Sequence, residues 1–373
     1  MISIRRLRAL VWKEMLQVSR DPSSILIAFA LPVLLLFIFG YGVSLDSRNV
    51  PIGLVIEQPG SAAESFAAAL DASPYIELHQ AAHMAELEPE LVATHLRGIV
   101  VLQDDFEKKL LNPQATAPIQ VITDGSNPQI AAFVENYIRG AWSYWLDLRR
   151  VEQGLPTITP VQLDMRFWYN PDVNSRYFLI PGSIAIILTV VGALLTALVI
   201  AREWERGTME AILASPINRL ELLLGKVIPY FALGQLSFTL CLLVATLLFG
   251  VPLRGSLWLL YGITSLFLFG ALGLGLTISA ITKNQFLASQ AAINAAFLPA
   301  FILSGFIFEI RSMPVWIQKI TYIFPARYLV NSLQTLFLAG DVWEVLIPDI
   351  IALSIIALFF MVAISINLKR HLD

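Results

Sequence analysis

The chain has 373 residues and a formal net charge of −3, with 57% hydrophobic and 14% charged residues. An ordinary soluble domain carries about 25% charged residues, so this composition fits an integral membrane protein better than two or three soluble domains. The 25 basic and 28 acidic residues, with no long basic tail, argue against a nucleic-acid binder, and a single cysteine excludes an internal disulfide framework or a cysteine-rich metal cluster.

Residues 1–23 read as a cytoplasmic amphipathic interface helix lying on the inner membrane surface, or else as a simple cytoplasmic extension of the first span. Ile4, Leu7, Val11, Met15 and Val18 recur at intervals of three or four, and Arg5, Arg8 and Lys13 are available to lipid phosphates. Asp21-Pro22 supports a break before the first transmembrane helix, placed at 24–45. This apolar run is too long for a signal-peptide core, so an uncleaved first span is expected. It is the first of six charge-free runs, 22–45, 177–201, 227–253, 255–282, 284–308 and 350–368. Crossing the hydrocarbon takes about 20 residues at about 1.5 Å each, so each run can span once as a helix. The runs are far longer than the alternating segments of about ten residues that build a membrane barrel.

Residues 46–176 have ordinary soluble composition, with 17 acidic and nine basic residues. Strands are expected at 50–56, 97–102 and 119–122, helices near 61–71, 105–111 and from Asn127-Pro128 to about Arg150, and a turn at Asp124-Gly125. The expectation is an extracytoplasmic α/β domain inserted into a polytopic α-helical membrane protein with six transmembrane helices. His79 and His83, with Glu77 and His95 nearby, could place two imidazoles on one helical face for zinc, but Ile76-Glu77-Leu78 suits a strand equally. Ordinary surface histidines are the better reading, and with no Gly-x-Ser-x-Gly elbow nothing marks a catalytic residue.

Residues 177–368 hold the other five spans, followed by a tail at 369–373. With six crossings, twelve basic residues gather at the ends that lie with the N-terminus, which places both termini in the cytoplasm. Between the second and third spans, 202–221 combines the charged Arg202, Glu205, Arg206 and Glu210 with an apolar Ile212-Leu213 face and ends at Ser215-Pro216. Thr208 is expected to cap a short helix there, and Gly207 to supply a non-helical angle. The segment is either a solvated turn or a docking surface. Charge-poor spans argue against an ion-driven transporter, and Gly225-Lys226 lacks the upstream glycine of a phosphate-binding loop. If ATP drives this protein, another chain binds it.

Trp12-Lys13-Glu14 with Arg20-Asp21, Glu205-Arg206-Gly207-Thr208-Met209-Glu210 with Pro216, and the region 299–340 appear in a characteristic order around the six spans. In these features the chain resembles the membrane permease subunit of ABC-2 type exporters, in the bacterial drug-exporter branch with a large periplasmic domain. The resemblance implies a transport subunit rather than an enzyme, in the bacterial inner membrane, carrying no cofactor of its own. ATP and Mg would sit on separate cytoplasmic ABC ATPase subunits, and a second identical or related permease would complete the path. It implies a coupling role for Arg202, Glu205, Arg206, Gly207, Thr208, Glu210 and Pro216. It also implies an outer gate of broken helices at 299–340 containing Gly305, Glu309, Pro314 and Pro325, with Glu309 where relatives commonly have proline. On the fifth span Gln290, Asn294, Phe297 and Phe301 form a stripe that either lines a cargo path or packs as ordinary helix–helix core, and on the second Gly182, Ser183, Gly192 and Ala193 allow close approach, between subunits or within one. The large outer domain favours the branch that works with a periplasmic adaptor and outer-membrane channel. An amphipathic or hydrophobic cargo is expected; sodium, lipid or glycan export, and a ligand-sensing membrane receptor, remain as alternatives.

Overall fold

The computed structural model describes residues 3–42, 50–93, 95–110, 119–123, 128–154, 168–170 and 174–370. The expected turn at Asp124-Gly125 and the last residues of the tail lie outside them. The chain divides into two units, Leu45–Arg166 and the remainder, Met1–Ser44 with Phe167–Asp373.

In the smaller unit, four strands, β1 (Val50–Ile56), β2 (Ile76–Ala81), β3 (Gly98–Leu102) and β4 (Ile119–Thr123), form one sheet in the order β2-β1-β3-β4. β1 runs parallel to both neighbours, and β4 is antiparallel to β3. Central strands covered on both faces read as unbroken apolar runs, and Gly98–Leu102 is buried at every residue. Alternation then assigns side chains to two cores. Val100 and Leu102 join Phe66, Phe106, Val134 and Trp145 on one face; Ile99 and Val101 join Leu87 and Leu96 on the other. The helices Ser61–Asp71 and Pro128–Glu152 cover the first face, with the Trp145 indole donating to Ser65 Oγ at 3.1 Å. His79 lies on β2, 3.6 Å from Glu77, and His83 precedes the helix Met84–Val92, so the two imidazoles do not share a helical face. Among the described residues no group of three metal-ligating side chains converges.

Among the described residues, the larger unit contains six helical segments long and apolar enough to cross a membrane: Pro22–Gly42, Ser175–Glu205, Arg219–Leu248, Leu257–Thr282, Gln285–Leu303 and Trp343–Asn367. Several exceed the charge-free runs because charged residues at their ends find partners inside the protein. The sixth starts seven residues before its charge-free run and includes Asp349, which accepts from Asn331 Nδ2 at 2.8 Å and Ser332 Oγ at 2.9 Å. A carboxylate inside a span needs such donors.

The second span is the axis of the unit, 89% buried over its apolar window against 61% for the fourth and 22–33% for the others. It packs closely on the fourth through small residues. A Cβ at Gly192 would meet Ala271 Cβ at 2.9 Å, and Ser279 Oγ accepts from the backbone of Ile200 and Ala201 at 3.0 and 2.8 Å. Gly192 therefore serves packing within one subunit. Gly182 does the same, since a Cβ there would lie 2.5 Å from the ring of Phe306. The first and fifth spans each contain a π-helical turn, Leu26–Ala30 and Ile293–Phe297, directly before a Leu-Pro pair. Proline lacks an N–H and its ring crowds the carbonyl four residues back; a wider turn relieves both.

After Leu303 the chain bends at Gly305, whose φ of 87° favours glycine. A short turn at Ile310–Ser312 and helices Val315–Thr321 and Pro325–Leu338 follow. Pro314 immediately precedes the first of these helices and Pro325 starts the second, while Glu309 is exposed.

Candidate functional site

At one end of the larger unit the helix α1 (Ile4–Ser19) lies against the third span. The close approach falls at Gly225, where a Cβ would sit 2.9 Å from Leu10 Cβ. Beyond this contact α1 inserts Lys13 and Glu14 into a network of charges. Lys13 Nζ lies 2.5 Å from Glu203 Oε1 and 3.1 Å from Glu14 Oε1; Lys226 Nζ lies 2.9 and 3.4 Å from Glu14 Oε1 and Glu203 Oε1. Arg202 reaches Asp21 at 2.9 Å, and Ser24 Oγ donates to the same carboxylate at 2.6 Å. Glu14, Arg202, Glu203 and Lys226 are all buried. Three cations (Lys13, Arg202, Lys226) face three carboxylates (Glu14, Asp21, Glu203), which is the condition under which buried charges are tolerated.

The network reaches the 202–221 segment. Thr208 Oγ1 donates to Glu203, and Gln285 at the start of the fifth span donates its backbone N–H to Glu205 Oε1 at 2.7 Å. Lys283 rests 4.3 Å above the Trp204 ring. Gly207, with φ 69°, is the residue before the helix Thr208–Leu213, so the glycine makes the turn and Thr208 is the first helical residue rather than its cap. That angle places an L side chain in the disfavoured left-handed region. Next to Pro216, Glu221 accepts from the backbone of Ser3 at 2.6 Å and of Asn218 at 2.9 Å, while Arg6 donates to the Pro216 carbonyl. Both ends of the short helix are thus tied to α1.

The expected coupling residues therefore divide. Arg202 is buried in the network, whereas Glu205, Arg206, Gly207, Thr208, Glu210 and Pro216 are exposed. Lys13, Arg206, Thr208, Ile212 and Ile217 border an open cleft of about 350 Å³ between α1 and the short helix. Lys13, expected to be available to lipid phosphates, pairs with Glu203 and Glu14 while its side chain stays 45% exposed. Sequence reasoning also missed the pairing of Glu14, Asp21, Glu203 and Lys226: Glu14 and Asp21 stood out as parts of the Trp12-Lys13-Glu14 and Arg20-Asp21 motifs, and Glu203 and Lys226 only as charges beside long apolar runs.

Burial opposes the charge on Asp21, but Ser24 and the Arg202 guanidinium outweigh it and hold the carboxyl below its ordinary 3.8. Burial likewise opposes the Lys13 ammonium, and Glu203 and Glu14 outweigh it to hold the group above 10.5. A lowered carboxyl contributes stability that is present above its unfolded value and is lost as pH falls through the folded one. A raised ammonium contributes stability below its unfolded value, lost as pH rises through the folded one. Melting of the purified protein, followed from neutral pH down past 3.8, should lose stability on this acid limb. Asp21→Asn should flatten the loss; an unchanged slope in the variant would remove Asp21 from the account.

A second concavity, of about 260 Å³, lies between the first, second and fifth spans, bordered by Leu35, Phe39, Ile186, Val190, Ile293 and Phe297. The Phe301 ring lies tilted beside that of Phe297, centroids 5.5 Å apart, but Gln290 and Asn294 are exposed on the fifth span and do not border this space. The four residues of the expected cargo stripe are therefore split, Phe297 alone lining the concavity. The π-helical turn at Ile293–Phe297 changes the angular spacing on which a continuous stripe depends.

Residues 22–366 match the family model described as ABC-2 family transporter protein. The chain is 51% identical over 373 residues to the "Probable multidrug ABC transporter permease YbhS" of Escherichia coli K12, covering all of this chain and 99% of that one. It is 30% identical over 352 residues to the "Probable multidrug ABC transporter permease YbhR" of the same organism, covering 92% and 94%. It is 22% identical over 363 residues to the "Linearmycin resistance permease protein LnrN" of Bacillus subtilis, covering 90% and 92%. A family match across nearly the whole chain, six apolar spans and an inserted sheet-bearing unit lead to one conclusion: the chain belongs to the ABC-2 family of transporter proteins, as a membrane permease.

Proposed function

We propose that this permease exports an amphipathic or hydrophobic compound, driven by a separate cytoplasmic ATPase that binds ATP and Mg, and has no catalytic activity of its own. The observation that carries this reading is the charge network joining α1, the ends of three spans and the short helix Thr208–Leu213. A partner pushing on the exposed face of that helix would displace a rigid plate rather than bend a loop. Arg206, Glu210 and Pro216 are the exposed residues such a partner would contact. The basic residues at this end favour placing it, with both termini, in the cytoplasm and the sheet-bearing unit outside.

A second permease subunit would cover Gln290 and Asn294, whose amides are otherwise exposed on an apolar span. The wholly apolar walls of the concavity between the first, second and fifth spans favour hydrophobic cargo over sodium, which needs oxygen ligands. The relatives' printed names, multidrug permease and linearmycin resistance permease, agree with such cargo. The outer gate would be 299–340, with Gly305, Glu309, Pro314 and Pro325 setting its bends, and a periplasmic adaptor with an outer-membrane channel would continue the route.

Co-expression with the candidate ATPase tests the reading. The chain alone should not hydrolyse ATP, and the purified complex should. Arg206→Glu with Glu210→Arg should reduce ATPase retention at least tenfold, with the melting temperature unchanged because both side chains are exposed. Hydrolysis by the permease alone, or full retention by the charge-reversed variant, would reject it.

A further inference from the structure

One face of α1 has no partner within the described residues. At about 100° per residue, Leu10, Glu14 and Val18 turn toward the third span and the charge network. The opposite arc carries Ile4, Arg5, Arg8, Trp12, Met15 and Leu16. It is open, with Ile4 80% and Trp12 65% exposed. The ion pairs at this end engage Arg6, Lys13, Arg202 and Lys226, leaving Arg5, Arg8 and Arg20 exposed without a carboxylate among the described residues.

We infer that this face binds anionic phospholipid, with Trp12, Met15, Leu16 and Ile4 at the acyl boundary of the adjacent leaflet and Arg5, Arg8 and Arg20 on acidic headgroups. Indole and long aliphatic side chains interleaved with arginines suit the layer where hydrocarbon meets phosphate. The position of α1 favours lipid over a protein occupant. Only Arg20 and Asp21 separate it from the first span, and the exposed apolar surface continues there through Ile25 and Leu26. The cleft beside the short helix uses different residues, Lys13, Arg206 and Thr208 among them. Three arginines without a carboxylate partner among the described residues distinguish acidic from zwitterionic lipid, because only the former brings net negative charge. Since Lys13 and Glu14 project from the same helix into the buried network, lipid on one face would steady the plate held by the other.

The full-length protein in detergent, titrated with phosphatidylglycerol or phosphatidylcholine, provides the test by native mass spectrometry and thermal melting. The parent should retain phosphatidylglycerol preferentially, and its melting temperature should rise with that lipid alone. The variant Arg5→Gln/Arg8→Gln/Arg20→Gln should retain it on the order of 100-fold more weakly, lose the thermal shift, and still hold the ATPase in lipid-free detergent. Equal retention of the two lipids by the parent, or parent-like retention by the variant, would overturn the inference. Loss of the ATPase from the variant in lipid-free detergent would overturn it too, assigning this face to a protein partner instead. The lipid readout needs neither ATP hydrolysis nor transport, so it stands apart from the proposed function.

Discussion

Replacing Lys226 by methionine should destabilise the membrane unit by about 3–5 kcal/mol, the usual penalty for removing one partner of a buried ion pair. Its ammonium is the buried cation between Glu14 and Glu203. Without it, two buried carboxylates share Lys13, whose side chain is 45% exposed. Methionine roughly preserves volume, so the loss would report charge rather than a cavity. Adding Glu14→Gln should recover a large part, since the double variant removes one charge of each sign, and a coupling energy of about 0.5–3 kcal/mol is expected from the cycle. Thermal unfolding of the four proteins in one detergent measures it. A Lys226→Met variant that melts with the parent would mean the network contributes nothing to folding.

The second large effect should come from Gly275→Ala, a change of one methyl group. The added Cβ would lie 2.1 Å from Thr196 Oγ1 and 2.5 Å from the Ala193 carbonyl oxygen. Neither neighbour yields easily. Thr196 is held by its hydrogen bond to the Gly192 carbonyl at 2.7 Å, and the other atom is helix backbone in the most buried span. The second and fourth spans must separate, with an overpacking penalty of about 1–3 kcal/mol, and Gly275→Leu should cost more. Gly262 on the same helix is the control, because a Cβ there meets nothing within 4 Å. Gly262→Ala should melt within about 0.5 kcal/mol of the parent. If both alanine variants behave alike, the two spans pack less closely than these distances state.

The difference between these two glycines was invisible in the sequence. Both sit in the same charge-free run, 255–282, and glycine in a membrane helix suits close packing anywhere along it. Only the partner helix decides which one is needed. The same holds on the second span, where Gly182 and Gly192 were open to roles between subunits and are used against Phe306 and Ala271 within one. In the sheet-bearing unit, by contrast, Ile99-Val100-Val101-Leu102 announced a buried strand directly, because a short unbroken apolar run is a local property. The strand Ile76–Ala81 was harder to read, its burial being confined mainly to Ile76.

The sequence by itself determined that this is a six-span helical membrane protein with an inserted α/β unit, and it pointed to the segment around Gly207. Lipid solvation requires each span to be long, apolar and internally hydrogen-bonded, so that pattern must be written in consecutive residues. Tertiary structure alone decided that Lys13, Glu14, Glu203 and Lys226 form one charge cluster beside the Arg202–Asp21 pair, and that Asp349 belongs within a span. Lys13 and Glu203 are 190 positions apart, and Glu14 and Lys226 are 212. A charge is tolerated in a buried place only by the partner it meets there, and no local pattern along the chain records that meeting.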